Sequence, residues 1–304
     1  MGLQGGFTTK KIPYNKGALV PSQIVMPLSP IRYPGGKSRA VKILEPFIPD
    51  DVEEVVSPFF GGGSFENYLS LKGVRVRGYD LCKPLVDFWQ SFLGDKETLL
   101  KLTQEKSDLM LDPKYEGEIS KEVRQEQIEL YNVWKDLAYN SPDLIERGSC
   151  YWAMNRSSFS GMTLITGPCR SKSMWSHLSK DKLERLSKIP FEVESINHQG
   201  FEDTLPRHKN SFLYLDPPYV METKEKEAIY GDNKGDLHSG FDHKGLRDLL
   251  DCHKDRWVMS YLDVPEIRDL YSDYKIENVT WTYSMRRGDS RPKGAELVIS
   301  NFDQ

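Results

Sequence analysis

From residue 31 onward, short apolar runs alternate with longer amphipathic or charged stretches, in an order that predicts strand–helix–strand units. Residues 41–48 read as a short helix ended by prolines. Residues 52–57 are strand-like, and Gly61-Gly62-Gly63 then breaks the chain. Ser64 is placed to N-cap a helix running to Lys72. Residues 74–79 alternate as a strand and deliver Asp80. This order is a βαβ unit, the opening of a doubly wound sheet. A right-handed crossover would put the glycine turn and Asp80 at the same carboxyl edge.

The strand signals then fade between about residues 91 and 190. Residues 122–137 are charged and helical in pattern, and residues 150–187 are basic with Asn, Ser and aromatics interleaved. Strand patterns resume at 211–215, directly before Asp216, at 257–261 and at 296–301. The expectation is one α/β domain, residues 31–90 and 191–304, interrupted by a mainly helical segment, residues 91–190. Residues 1–30, rich in Gly, Pro and Ser without periodicity, read as an N-terminal extension. Residues 220–243 form a long polar stretch that reads as a mobile loop after Asp216.

Composition narrows the setting. Hydrophobic residues make up 38% and charged residues 28%, which suits a packed core with a solvated surface. No apolar run approaches the roughly 18 residues of a membrane span. The N-terminus lacks a secretory layout, and Gly6 stands where a myristoylation signal needs Ser or Thr. A cytoplasmic or other intracellular compartment, without secretion, is therefore expected. Cys82, Cys150, Cys169 and Cys252 have no metal-finger spacing and read as reduced, mostly buried thiols. His238, His243 and His253 likewise lack zinc spacing, so no metal is expected.

The net charge of −4 does not advertise a polyanion partner, but the charge is segregated. Residues 150–190 carry seven Lys or Arg against two acids, and residues 282–294 carry four against one. Residues 95–129 carry ten acids against six bases. Arg156, Arg170, Lys172, Arg286, Arg287 and Arg291 are the candidate phosphate contacts in the basic stretches.

The densest chemistry lies in Asp216-Pro217-Pro218-Tyr219. A given four-residue string arises by chance about once in 1,000 chains of this length at ordinary residue frequencies. Here it also follows a buried-type strand, where ligands bind in open α/β sheets. Pro217 precedes a proline and is held extended, and Pro218 offers no N–H, so the turn is stiff. An exocyclic aromatic amine is a poor nucleophile because its lone pair is delocalised into the ring. Two acceptors, the Asp216 carboxylate and the Pro217 carbonyl, can draw its N–H groups toward tetrahedral geometry and free that pair. Tyr219 can stack on a base.

A second cluster is the loop from Ser57 through Phe59, Gly61, Gly63 and Ser64 to Glu66. Its glycines let backbone approach a ligand, while Glu66 departs from the dinucleotide-binding glycine spacing. Asp80 is placed to accept from ribose hydroxyls. A third is Arg32-Tyr33-Pro34-Gly35-Gly36-Lys37, where Tyr33 could pack on an adenosine ring and Lys37 could reach a cofactor carboxylate or the acidic end of the Asp216–Tyr219 turn.

Together these motifs resemble the Dam-like, D12-class, alpha-group DNA N6-adenine methyltransferases. The shared signature is Gly35-Gly36-Lys37, the loop Phe59 to Ser64, Asp80 and then Asp216 to Tyr219. The resemblance covers roughly residues 31–302. It implies a Rossmann-like S-adenosylmethionine-dependent methyltransferase sheet with an inserted, mainly helical target-recognition domain. It also implies that Tyr33, Lys37, Phe59, Gly61, Gly63, Ser64, Asp80 and Asp216 contact S-adenosyl-L-methionine or its surroundings. The Asp216–Tyr219 turn would hold an adenine flipped out of double-stranded DNA. Asn155-Arg156 through Phe159 to Gly161 resembles the family's opening to DNA recognition, and Gly294-Ala295-Glu296-Leu297 its closing strand. A cognate restriction endonuclease is a partner such a protein could have, while sequence alone does not separate monomer from homodimer.

Other readings compete with this one: methylation of cytosine N4, RNA adenine or a protein amide, or a silent DNA-binding relative. Asp216, where amide and N4 methyltransferases more often carry Ser or Asn, favours adenine. The intact set of Gly61–Gly63, Asp80 and Asp216–Tyr219 argues against a silent binder.

Overall fold

The computed structural model describes residues 28–110, 120–169, 176–220, 240–282 and 293–303. Residues 1–27 of the expected N-terminal extension, most of the 220–243 loop with His238, and the candidate contacts Arg170, Lys172, Arg286, Arg287 and Arg291 lie outside the described residues, while Leu28 at the end of that extension packs in the core.

Seven strands form one sheet in the order β3-β2-β1-β4-β5-β7-β6. They are β1 (Glu54–Ser57), β2 (Arg75–Asp80), β3 (Ser195–His198), β4 (Phe212–Leu215), β5 (Trp257–Leu262), β6 (Lys275–Thr282) and β7 (Lys293–Ser300). The first five pair in parallel, while β7 runs antiparallel between β5 and β6. The order reverses between β1 and β4, which is where a doubly wound sheet opens its binding crevice. β4 is Phe-Leu-Tyr-Leu and buried at all four positions, as a central parallel strand covered on both faces must be. The sheet is thus α/β and Rossmann-like, as the strand spacing predicts.

Around it lie α1 (Val41–Leu44), α2 (Ser64–Leu71), α3 (Lys83–Gly94), α4 (Lys96–Asp108), α5 (Lys121–Asn140), α6 (Leu144–Ser157), α7 (Lys180–Ser187), α8 (Phe201–Arg207), α9 (His243–Cys252) and α10 (Pro265–Leu270). The helix opening at the glycine loop starts differently from expectation. Gly63, in the left-handed region at φ 60°, is the N-cap of α2, and Ser64 is its first helical residue. Two strands, β3 and β6, were not evident from sequence. β3 buries only Ile196 of its four residues, so it shows no apolar pattern.

Helices α4 to α7 occupy the stretch without strand signals. Their starts are capped as local chemistry dictates: Asp95 accepts from the Thr98 N–H, Ser120 from Val123 and Asp143 from Glu146. α6 is buried along nearly its whole length from Gly148, wrapped by α3, α4 and α5. These helices share one continuous apolar core with the sheet: Leu99, Trp134, Trp152 and Leu183 belong to the same buried cluster as Val55, Phe65 and Val76. A second cluster, with Leu213, Trp257, Met259 and Tyr261, fills the other face. No helix among the described residues is long and apolar enough to cross a membrane.

Candidate functional site

The carboxyl ends of β1, β2 and β4 bring three of the sequence motifs together. After β1 the chain turns through Gly61 and Gly63, both at positive φ (48° and 60°). The Gly61 N–H donates to Asp80 Oδ2 at 2.8 Å, and its carbonyl accepts from Trp89 Nε1 at 3.0 Å. Both polar groups of one glycine are therefore fixed, one by the acid ending β2 and one by a buried indole of α3. Asp80 also accepts from the Cys82 N–H at 2.9 Å, and burial raises its carboxyl above the ordinary value despite these bonds. Tyr33 packs directly on the loop: a Cβ added at Gly61 would lie 2.7 Å from its Cε1, and one at Gly62 2.8 Å from its Cβ. The glycines are needed because Tyr33 occupies the space a side chain would take. Phe59 turns the other way, 5.6 Å from the ring centroids of both Phe201 and Phe241.

The turn after β4 is held from several sides. Lys37, only 4% exposed, donates to Asp216 Oδ1 at 2.6 Å and Oδ2 at 2.7 Å, and to the Gly35 carbonyl at 3.0 Å. Ser260 on β5 donates to Asp216 Oδ1 at 3.0 Å. Oδ1 thus carries two described hydrogen bonds and Oδ2 one, which leaves Oδ2 more acceptor capacity. The Tyr219 ring stacks on Tyr261 at 5.4 Å and 21°, and Lys37 Nζ lies 5.0 Å from its centroid. The Tyr261 hydroxyl donates to the Pro218 carbonyl at 3.3 Å and also bonds His243 Nδ1 at the start of α9. The Tyr219 hydroxyl donates to Glu296 Oε2 at 2.8 Å.

Two buried acids flank the Lys37–Asp216 pair. Glu66, on the first turn of α2, accepts from Ser57 Oγ at 2.8 Å. Burial pushes its carboxyl up to about 8, with the Asp216 charge adding to the rise and the Ser57 bond and Lys37 opposing it. Burial likewise pushes Glu296 up to about 8, against the pull of Lys37. Both groups hold protons in the folded state that they would release on unfolding above about pH 4.5. Their contribution is fully present below that pH and is lost as pH rises toward 8. The slope is about 1.4 kcal/mol per pH unit for each group. The part of the unfolding free energy that these two acids supply should fall between pH 5 and 8, and Glu66→Gln should remove its share, shifting the pH dependence upward relative to wild type as pH rises. Denaturant titrations at several pH values check this, and an unchanged slope in the variant would refute it.

Sequence reasoning misses Trp89, Ser260, Tyr261 and the acid role of Glu66, because each acts through contacts distant along the chain. It also misdirects one pair. Asn155 is fully buried: its amide accepts from the Arg32 N–H at 2.9 Å and donates to the Arg32 carbonyl at 2.7 Å and Thr163 Oγ1 at 3.0 Å. Arg156 is 4% exposed, donates to the His177 carbonyl at 3.1 Å, and is pushed down to about 9 by burial. In this conformation neither reaches a phosphate, a correction to the expectation that they touch DNA. Their side chains instead join α6 to the segments at residues 32 and 177. Arg32 completes the join by donating to the carbonyls of Asn155, Arg156 and Ser158 at the C-terminus of α6. The turn that follows, with Ser160 and Gly161 at positive φ, leaves Phe159 53% exposed.

The family model of the D12 class N6 adenine-specific DNA methyltransferases matches residues 33–285. That span runs from Tyr33 beyond the Asp216–Tyr219 turn and takes in every group just described except Arg32 and Glu296. A search among curated proteins returned no match.

Proposed function

The chain belongs to the D12 class of N6 adenine-specific DNA methyltransferases, and from that premise we propose that it methylates an adenine flipped out of double-stranded DNA, with S-adenosyl-L-methionine as donor. The observation that carries this reading is the Asp216 carboxylate, fixed by Lys37 and Ser260 at the carboxyl edge where the sheet order reverses.

The donor fits the residues present. The Gly61–Gly63 loop brings backbone without side chains to this edge, and Asp80 keeps acceptor capacity beyond its bonds to backbone N–H groups for ribose hydroxyls. Asp80 and the Lys37-paired Asp216 place carboxylates at this edge, which suits a cation, while Glu66 beside them is held protonated. Tyr33, Lys37, Phe59, Gly61, Gly63, Ser64 and Asp80 would hold the donor, which supplies an electrophilic methyl group on a sulfonium. The base enters at Asp216–Tyr219. Asp216 Oδ2 accepts an N6 hydrogen, which localises the nitrogen lone pair, and takes the proton that N6 sheds as the methyl arrives. Lys37 and Ser260 hold that carboxylate still, so most of the rate comes from positioning and preorganised charge. Extrusion of the base unstacks the duplex at about a few kcal/mol.

DNA would be gripped through the helical stretch of residues 91–190, read as the target-recognition part. Within it, Phe159 is the exposed aromatic on the turn after α6, available to base steps. Arg170, Lys172, Arg286 and Arg287 remain the proposed phosphate contacts. Incubation with methyl-labelled donor and separate duplex DNA, single-stranded DNA and RNA should put label on N6-methyladenine from duplex DNA. Fluorescence of 2-aminopurine at the target position should rise on binding. Label that prefers RNA, or none on duplex DNA, would overturn the reading.

A further inference from the structure

Glu296 is a carboxyl group set in the interior of the sheet. It lies on β7 opposite Leu262 of β5 and Val279 of β6, and it is fully buried. Its Oε2 accepts the Tyr219 hydroxyl, while Oε1 is buried with no hydrogen-bond partner among the described residues. A buried polar atom left without a partner is destabilising, and an apolar side chain would fill the same space without that penalty. Stability therefore does not account for an acid at this position.

What the acid does touch is the ring that ends the Asp216–Tyr219 turn. Tyr261 stacks on Tyr219 and so fixes the plane of the ring. Stacking alone lets a ring slide within its plane, because dispersion contacts are weakly directional. The hydrogen bond from the hydroxyl to Glu296 removes that freedom. Glu296 stands on β7 and Tyr261 on β5, so two neighbouring strands brace one tyrosine from different directions.

We propose that Glu296 is a positioning residue for methyl transfer: by holding the Tyr219 hydroxyl it sets the orientation of the ring against which the extruded adenine is placed. This rests on the reading that the base contacts Tyr219. It goes beyond that reading by assigning the buried acid of β7 to base placement and not to donor binding.

The test is a double-mutant cycle on the full chain, read as steady-state N6-adenine methylation of duplex DNA. Glu296→Leu should lower kcat/KM for DNA roughly tenfold with KM for the donor unchanged. Glu296→Gln, whose amide oxygen still accepts from the hydroxyl, should restore most of the loss. Tyr219→Phe should reproduce the DNA defect of Glu296→Leu, and adding Glu296→Leu to it should cause no further loss. Should the Leu variant fail to fold, Tyr219→Phe and Glu296→Gln carry the test alone. Full activity in Tyr219→Phe, an additive loss in the double variant, or a Gln variant as impaired as Leu would each overturn the proposal. A wild-type chain that methylates no duplex DNA overturns the function itself, a result separate from these.

Discussion

Asp216→Ala should lower kcat for adenine methylation by roughly a thousandfold or more while DNA binding survives. Asp216 is the carboxylate at which the Lys37 ammonium and the Ser260 hydroxyl converge. In the proposed mechanism, its loss removes the acceptor that localises the N6 lone pair and the group that takes the departing proton. It also strands Lys37, which is nearly buried and pairs with Asp216 through both carboxylate oxygens. Removing one partner of such a pair is destabilising by about 3–5 kcal/mol where burial is deep, and by less here because Asp216 is 21% exposed. Rates must therefore be compared below the variant's unfolding midpoint. Asp216→Asn, which keeps an acceptor oxygen for Lys37, separates the two effects: it should fold nearly as well as wild type and still be deeply impaired. Single-turnover transfer to duplex DNA, alongside a DNA-binding isotherm, measures both. Wild-type rates in either variant would remove Asp216 from the chemistry.

The largest expected effect on stability comes from Gly161→Ala. Gly161 sits at φ 79°, where a side chain is strained, and an added Cβ would lie 2.1 Å from the Arg32 carbonyl oxygen and 2.7 Å from its carbon. Those are backbone atoms, and the backbone there is not free to yield. The Arg32 N–H is bonded to Asn155, and its guanidinium reaches three carbonyls at the end of α6. The substitution should destabilise the fold by about 3 kcal/mol or more. Gly167 is the matched control, since a Cβ there meets nothing within 4 Å. Its alanine variant should unfold like wild type. Urea unfolding of both decides the matter, and a Gly161→Ala midpoint equal to that of Gly167→Ala would show that the junction is soft.

These two positions also mark what a sequence does and does not disclose. The Asp216 motif is legible because its chemistry is local: a strand, an acid, two prolines and an aromatic occupy consecutive positions. The βαβ opening is legible for the same reason, since periodicity and glycines carry it. The partners are less legible. The sequence offers Lys37 for the acidic end of that turn as one of two options, but Ser260 and Asp216 are 44 positions apart, and Tyr219 and Glu296 are 77 apart. Nothing in a local pattern tells a buried acid such as Glu66 from a solvated one. Asn155 and Arg156 show the reverse failure. A polar pair in a basic, aromatic-rich stretch looks like surface, yet α6 is enclosed by three other helices and turns both inward. β3 and β6 were missed because edge strands need bury little, and the apolar alternation that betrays a strand is weak in them.

The unbroken core that joins α3 through α7 to the sheet has a consequence for how such a protein could change its target. Trp89 belongs to that core and also holds the Gly61 carbonyl, while Trp152 and Leu183 pack into the same apolar body as Val55. Transplanting residues 91–190 between relatives as a cassette would tear open this body and loosen the loop that Trp89 supports. On the proposed reading, in which the turn carrying Phe159 meets DNA, new specificity is more accessible by piecemeal drift there, where side chains can be exchanged without reopening the interior. The architecture favours gradual retargeting over modular recombination.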